Sequence, residues 1–417
     1  MDERVLVVFT FMCVSVYSSQ VLLVSMDGFR WDYLTKVSTP NFDRLARNGT
    51  KASYINNTFI TKTFPCHYTI VTGLYEESHG IIGNHMYDPV FNSTFGMQTY
   101  ETRWWNGGEP LWVTARRQKL TSATYFWPGS EAEIRGYRPN IWFHYNESVP
   151  FKTRIDTVIT WLADKQINLV NLYFHEPDAT GHAFGPDSPQ IREKVKKMDK
   201  ILGYLLDKFD SHNLWNNVNL IVTSDHGMTT IDTAKKVVDI TDHVDMRNIQ
   251  FTVDNGPIMQ VQPALGQIDN VVQSLQNVSH ISVFKKEEIP NHWHYKNNRR
   301  IMPVFLLAED GWSITKNKTK AALYRGRGAH GYDNRLDKMK PIFLARGPNI
   351  KENHIADTFR SIDIYPMICH LLGIQPAPNN GSLTATSGFL VATGTNVASA
   401  NIVSFWAFIL STLLVLL

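Results

Sequence analysis

The residues that could do chemistry in this chain fall in a repeated pattern. The apolar run Asn219-Leu220-Ile221-Val222-Thr223-Ser224 stops at adjacent Asp225 and His226 before Gly227, as a buried strand ending in a tight turn would. Val21 to Met26 likewise delivers Asp27, and Ile167 to Phe174 leads to Asp178, with His182 four residues on. His330 sits in the glycine-flanked Gly328-Ala329-His330-Gly331, where the backbone is free to bend towards a ligand. A single Asp-His pair is usually solvated or satisfied in a core, but this one recurs at strand ends, where α/β sheets bind their ligands. Three carboxylates and three imidazoles make two sets of three, and mixed nitrogen and oxygen ligation suits zinc. Two ions about 3.5–4 Å apart would clamp the attacking and leaving oxygens of an in-line phosphoryl displacement.

Such a site needs a nucleophile. The stretch Thr61-Lys62-Thr63-Phe64-Pro65-Cys66-His67-Tyr68 offers Thr63 ahead of a helix expected over Tyr68 to Thr72, whose N-terminus would attract anions. A threonine hydroxyl is feeble at neutral pH, so a metal would have to activate it. Composition alone does not single out Thr63.

Strands and helices must alternate to position these residues, and they do so along most of the chain, which argues for a layered α/β domain. Helices are expected from Pro40 to a stop at Gly49, over Phe151 to Lys165, and along the Ile191–Phe209 stripe. Further helices fit Gln267 to Leu275 and Thr358 to Leu372. Strands are expected at Ser122–Phe126, Met259–Gln262, His280–Lys285, Pro303–Ala308 and Pro341–Ala345. No linker within residues 20–383 is rich enough in Pro, Gly or Ser to divide them, so one catalytic domain is expected there. The 417 residues suffice for a sizeable core, and a net charge of +3 without long basic runs argues against nucleic-acid-specific binding.

Both ends point to the secretory route. Residues 1–19 carry an apolar core, Val5 to Tyr17, followed by Ser18 and Ser19, as a signal peptide does. A polar, small-residue spacer over 384–401 precedes an uncharged apolar tail at 402–417, which fits a glycolipid-anchor signal or a single-pass anchor. The expected protein is tethered at a membrane with its folded part outside. Sequons at Asn48, Asn56, Asn92, Asn146, Asn277, Asn317 and Asn380 agree with export. Beyond Cys13 there remain Cys66 and Cys369, whose spacing does not decide whether they pair.

In order along the chain come Met26-Asp27-Gly28-Phe29-Arg30, Thr61-Lys62-Thr63-Phe64-Pro65, His79-Gly80-Ile81-Ile82-Gly83-Asn84, Glu176-Pro177-Asp178 through Gly181-His182, Ser224-Asp225-His226-Gly227-Met228 and Gly331-Tyr332-Asp333-Asn334. This set resembles the ectonucleotide pyrophosphatase/phosphodiesterase family of the alkaline phosphatase superfamily, over essentially residues 20–383, and looks most like its short, membrane-anchored members. The resemblance implies an alkaline-phosphatase-like α/β/α domain around a central, mostly parallel sheet. It implies two zinc ions, one held by Asp178, His182 and His330, the other by Asp27, Asp225, His226 and the Thr63 oxygen. Thr63 would attack phosphorus and form a covalent intermediate that water then releases. Asn84 would donate its amide to a phosphoryl oxygen, assisted by the Phe64 backbone N–H. Phe64 and Tyr145 would sandwich a nucleobase, with Trp127 lining the same pocket.

Two positions depart from that pattern: Cys66 replaces a usual asparagine, and His175 replaces an acid before Glu-Pro-Asp. The expected activity is release of nucleoside 5′-monophosphate from nucleotides or dinucleotides. Other branches of the family suggest a choline-phosphodiester or lysophospholipid hydrolase, since an aromatic cage also suits choline. A catalytically dead surface-binding protein is a third reading, and the intact ligand and nucleophile positions weigh against it.

Overall fold

The computed structural model describes residues 19–391. An eight-stranded sheet runs through it in the order His354–Ala356, Thr50–Ala52, Phe343–Arg346, Val218–Thr223, Gln20–Met26, Leu169–Phe174, Ser122–Tyr125, Ile141–Trp142. Phe343–Arg346 is antiparallel to both of its neighbours, and every other pairing is parallel. A mostly parallel sheet has both faces covered, and Gln20–Met26 shows how the sequence meets that demand. All seven of its residues are buried. Val21 and Leu23 enter one apolar cluster, while Leu22, Val24 and Met26 enter another on the opposite face.

Helices Thr63–Thr72, Leu111–Arg117 and Ile364–Leu372 cover the first face, and Pro40–Arg47, Phe151–Ala163 and Pro189–Ser211 cover the second. The long helix opens with Pro189 at its first position, and the Ser188 side chain accepts from the Ile191 N–H, so an otherwise open donor is capped. The fold is thus the α/β/α arrangement of alkaline-phosphatase-like proteins. A second, four-stranded antiparallel sheet orders Ile249–Val253, Ile258–Pro263, Val304–Ala308 and Ile281–Lys285, and with helix Ile268–Leu275 it builds a third apolar cluster.

Register decides the function of the central strands. Met26 pairs with Phe174 and Ser25 with Thr223, so three neighbouring strands end level, and Asp27, Asp178 and Asp225 all follow those ends. Two backbone bonds then lock the turns: Asp27 N–H donates to Phe174 O (2.9 Å), and Asp178 N–H to Asp27 O (3.0 Å). His330 arrives from elsewhere. Gly328 and Ala329 pair antiparallel with Thr230 and Thr229, which fastens the His330 loop to the segment just past His226.

Two boundaries differ from the sequence reading for physical reasons. The helix expected over Tyr68 to Thr72 begins at Thr63 rather than Tyr68, because Pro65 lies in the first turn, where a missing N–H costs no intrahelical bond. The chain also stays packed beyond Leu383: Thr384–Ser387 is helical, and Phe389 is buried against Phe343 and Phe359. Any spacer therefore starts later than residue 384. The expected signal peptide and apolar tail lie outside the described residues, among which no helix is long and apolar enough to cross a membrane. Cys66 and Cys369 are both buried and unpaired.

Leu23 is fully buried at the centre of the sheet. Leu23→Ala is expected to cost about 2–5 kcal/mol through lost burial and a residual cavity. It should appear in denaturant titration as a lower midpoint at unchanged slope.

Candidate active site

The carboxyl ends of the three central strands converge on a buried cluster. Asp27, Asp225 and His226 offer ligand atoms all within 4.8 Å of one another, and so do Asp178, His226 and His330. His226 thus belongs to both groups, its Nε2 lying 3.0 Å from Asp225 Oδ2 and 3.5 Å from Asp27 Oδ1. His182 joins the second group, with Nε2 3.4 Å from Asp178 Oδ2 and 3.0 Å from His330 Nε2. All six aspartates and histidines expected to bind metal are therefore brought together.

The hydrogen bonds behind the imidazoles reveal their tautomers. The Nδ1 atoms of His182, His226 and His330 lie 2.8–2.9 Å from the carbonyls of Gly328, Gly227 and Thr61. A carbonyl only accepts, so each Nδ1 carries a proton, and in His182 and His330, which burial keeps neutral, Nε2 presents a bare lone pair to the cluster. Backbone carbonyls commonly fix metal-binding histidines in this way. Two lone pairs facing each other at 3.0 Å, as in His182 and His330, repel unless a cation lies between them. The carboxylates make the same demand: Asp27 Oδ1, Asp178 Oδ1 and Asp225 Oδ2 are buried without a hydrogen-bond donor. The donor set therefore fits divalent cations.

Electrostatics agrees. Burial and the neighbouring carboxylates push Asp27 well above the ordinary range, and burial lifts Asp178 to about 7. Burial also pushes Asp225 up, but His226 and His67 more than offset that and hold it well below. Burial alone would lower His226, yet Asp225, Asp27 and Asp178 raise it to about 9. Burial keeps His182 near 4 and His330 well below its ordinary value, so both stay neutral and able to ligate. The cluster attracts positive charge at its centre.

Thr63 opens its helix with Oγ1 3.4 Å from His226 Nε2. Asn84 lies beside it, its Oδ1 accepting the Phe64 N–H at 2.9 Å. That bond revises one expectation: the Phe64 N–H orients the Asn84 amide rather than pointing at a ligand. The Asn84 Nδ2 hydrogens, with no protein acceptor among the described residues, are left to donate. Phe64 is half-buried beside Trp105 and Phe95. Tyr145 is 42% exposed and meets Phe126 and Tyr173 edge-on. Trp127 is a correction. It is 1% exposed, and its Nε1 donates to His67 O, so it packs beneath the site instead of lining an open pocket.

Several supporting residues escaped sequence reading. Tyr173 OH donates to Asp27 Oδ2 at 2.6 Å. His67 is wedged between Ser25 Oγ (2.8 Å), Thr63 O (2.8 Å) and Asp225 Oδ2 (3.3 Å), tying the Thr63–Thr72 helix to the cluster. Its place four residues after Thr63, one helical turn on, is the sequence signal that marks it. Gly28 donates its N–H to Asp225 Oδ1 and holds φ +66°. A Cβ there would stand 2.8 Å from Asp178 Cβ.

A buried two-set cluster at the carboxyl ends of a mostly parallel sheet, with a hydroxyl at a helix start, is the apparatus of a metallo-phosphoesterase. The chain belongs to the type I phosphodiesterase/nucleotide pyrophosphatase family, whose signature matches residues 21–333. It is 43% identical over 368 residues to human ectonucleotide pyrophosphatase/phosphodiesterase family member 5, covering 87% of this chain and 76% of that one. It is 39% identical over 378 residues to human bis(5′-adenosyl)-triphosphatase, covering 89% and 82%. Among solved structures, murine family member 5, an inactive threonine-to-alanine variant in complex with AMP, superposes with a TM-score of 0.85 at 42% identity, covering 89% of this chain and all of that one.

If a cation holds the cluster together, chelation should lower Tm and a divalent ion should restore it. Occupancy at a hundred times Kd stabilises by about 2.7 kcal/mol. Gly28→Ala, by displacing Asp178, should blunt that response in thermal unfolding. A melting curve indifferent to chelator in the wild type would refute the site.

Proposed function

We propose that the protein is a zinc-dependent ecto-enzyme. It would cleave phosphodiester or pyrophosphate bonds of nucleotides and dinucleotides through a covalent Thr63 intermediate, releasing nucleoside 5′-monophosphate. The observation that carries this reading is the Thr63 hydroxyl at the first residue of a helix, against an imidazole shared by both ligand groups. Asp178, His182 and His330 would hold one zinc, and Asp27, Asp225, His226 and the Thr63 oxygen the other. Bound there, the ions supply Lewis-acid charge for the attacking and leaving oxygens.

The chain's own groups do the rest. The start of helix Thr63–Thr72 favours an anion, and Thr63 is presented to phosphorus from that turn. Its hydroxyl gives up its proton to water, the Oγ–phosphorus bond forms, and the leaving oxygen departs with the bonding pair. A water oxygen then attacks phosphorus, and Thr63 leaves and recovers a proton, so each cycle consumes one water. The Asn84 amide, set by the Phe64 N–H, donates to a phosphoryl oxygen as charge develops. It adds no full charge, which suits a diester. Tyr145 and Phe64 offer the faces for a base.

A nucleotide is preferred over a choline phosphodiester because relatives at 39% identity are named bis(5′-adenosyl)-triphosphatase and the murine neighbour holds AMP. Export and tethering are supported by the leader, the apolar tail and the exposure of sequon residues Asn92, Asn146, Asn277, Asn317 and Asn380.

Zinc-loaded protein should release nitrophenolate from p-nitrophenyl-TMP, and Thr63→Ala should lower that rate about 10³-fold or more. Faster turnover of glycerophosphocholine than of diadenosine triphosphate would reverse the substrate reading. Phosphatidylinositol-specific phospholipase C should free the protein from cells; retention would favour a transmembrane tail.

A further inference from the structure

A cavity of about 350 Å³ opens beside the second ligand group, with His182 and His330 in its wall. None of Thr63, Phe64, Asn84 or Tyr145 lines it, so it lies apart from the nucleophile and the aromatic faces. Its volume is within the range of small-molecule pockets, about 300–1,000 Å³. Lys62 and Lys320 contribute the charge, Ile314 an apolar wall and Tyr324 an aromatic edge, and no aspartate or glutamate faces it.

The two lysines differ. Lys62 Nζ lies 3.6 Å from Asp254 Oδ2, so its charge is partly taken up. Lys320 is exposed, and its ammonium has no carboxylate within 4.0 Å among the described residues. It belongs to a segment, residues 316–327, with five basic residues and no acidic one. That segment also anchors the site: Arg327 N–H donates to His182 O at 2.7 Å, and the next residue, Gly328, accepts from His182 Nδ1 through its carbonyl. Tyr324, 52% exposed, follows Lys320 on the same wall.

In-line displacement places the leaving oxygen opposite the attacking one. With Thr63 assigned above to the Asp27–Asp225–His226 group, the leaving oxygen falls to the other group, whose His182 and His330 line this cavity. We propose that the cavity receives the phosphate-bearing leaving half of a dinucleotide, with Lys320 as its electrostatic anchor and Tyr324 as a face for its base. The inference rests on the nucleotide reading above and adds the determinant of leaving-group selectivity. As the Thr63 Oγ–phosphorus bond forms, the bond to the leaving oxygen breaks. The leaving nucleoside diphosphate carries away the bonding pair, and Lys320 meets its added negative charge.

The test compares diadenosine triphosphate, whose leaving half bears phosphate, with p-nitrophenyl-TMP, whose leaving half does not. In full-length, zinc-loaded protein, Lys320→Glu should lower the ratio of kcat/KM between these substrates about tenfold or more, and Lys320→Ala less. A second readout avoids turnover. In the Thr63→Ala background, equilibrium dialysis should show diadenosine triphosphate binding about tenfold more weakly when Lys320→Glu is added. An unchanged ratio with unchanged binding overturns the proposal, as does an equal loss on both substrates. If the wild type cleaves p-nitrophenyl-TMP but not diadenosine triphosphate, the substrate reading fails by itself, and the dialysis comparison still judges the cavity.

Discussion

The structure depends on a repulsion. Three carboxylates and three imidazole Nε2 atoms point at one small volume, and three buried carboxylate oxygens there have no donor. Burying one uncompensated charge already costs several kcal/mol, because low-polarity surroundings return little of the lost hydration. No local element tolerates such a cluster for its own stability. Each ligand is instead held from behind: Asp27 by Tyr173, Asp225 by Gly28 and His67, and the histidines by backbone carbonyls. The supports aim the donors so that a cation converts a destabilising cluster into a binding site.

The layers divide the work around that cluster. The parallel sheet supplies level strand ends, so carboxylates far apart in sequence meet. One helical face brings the Thr63 hydroxyl with its positive helix end. A separate two-stranded pairing of Gly328–Ala329 with Thr229–Thr230 fixes the segment that carries His330 and part of the cavity wall. Under the proposed mechanism, attack and departure fall to different parts of the chain.

The departures at Cys66 and His175 become intelligible here. Cys66 sits inside the Thr63–Thr72 helix, fully buried, with Sγ 3.4 Å from Ile60 O, and burial pushes its thiol up. It behaves as a small apolar filler that leaves the adjacent His67 free to brace Asp225. His175 is half-buried near Phe151, and burial lowers it, so it adds no charge beside Asp178. Neither substitution disturbs a ligand.

The sequence by itself determined much of this protein. Apolar runs marked the strands, turn-forming residues marked their ends, and Asp27, Asp178, Asp225 and His226 stood out because ligands follow strand ends, His182 by its spacing from Asp178 and His330 by its glycine-flanked loop. Those are local signals, written within a few residues. Tertiary structure alone decided register, and with it which carboxylate faces which imidazole. It placed His226 between both groups, set the Phe64 N–H on Asn84, turned Trp127 inward, and reversed Phe343–Arg346 against its neighbours. It also brought the basic segment 316–327 beside His182. These outcomes depend on pairing and packing between segments up to hundreds of residues apart, and no local periodicity encodes which partner a strand or loop will meet.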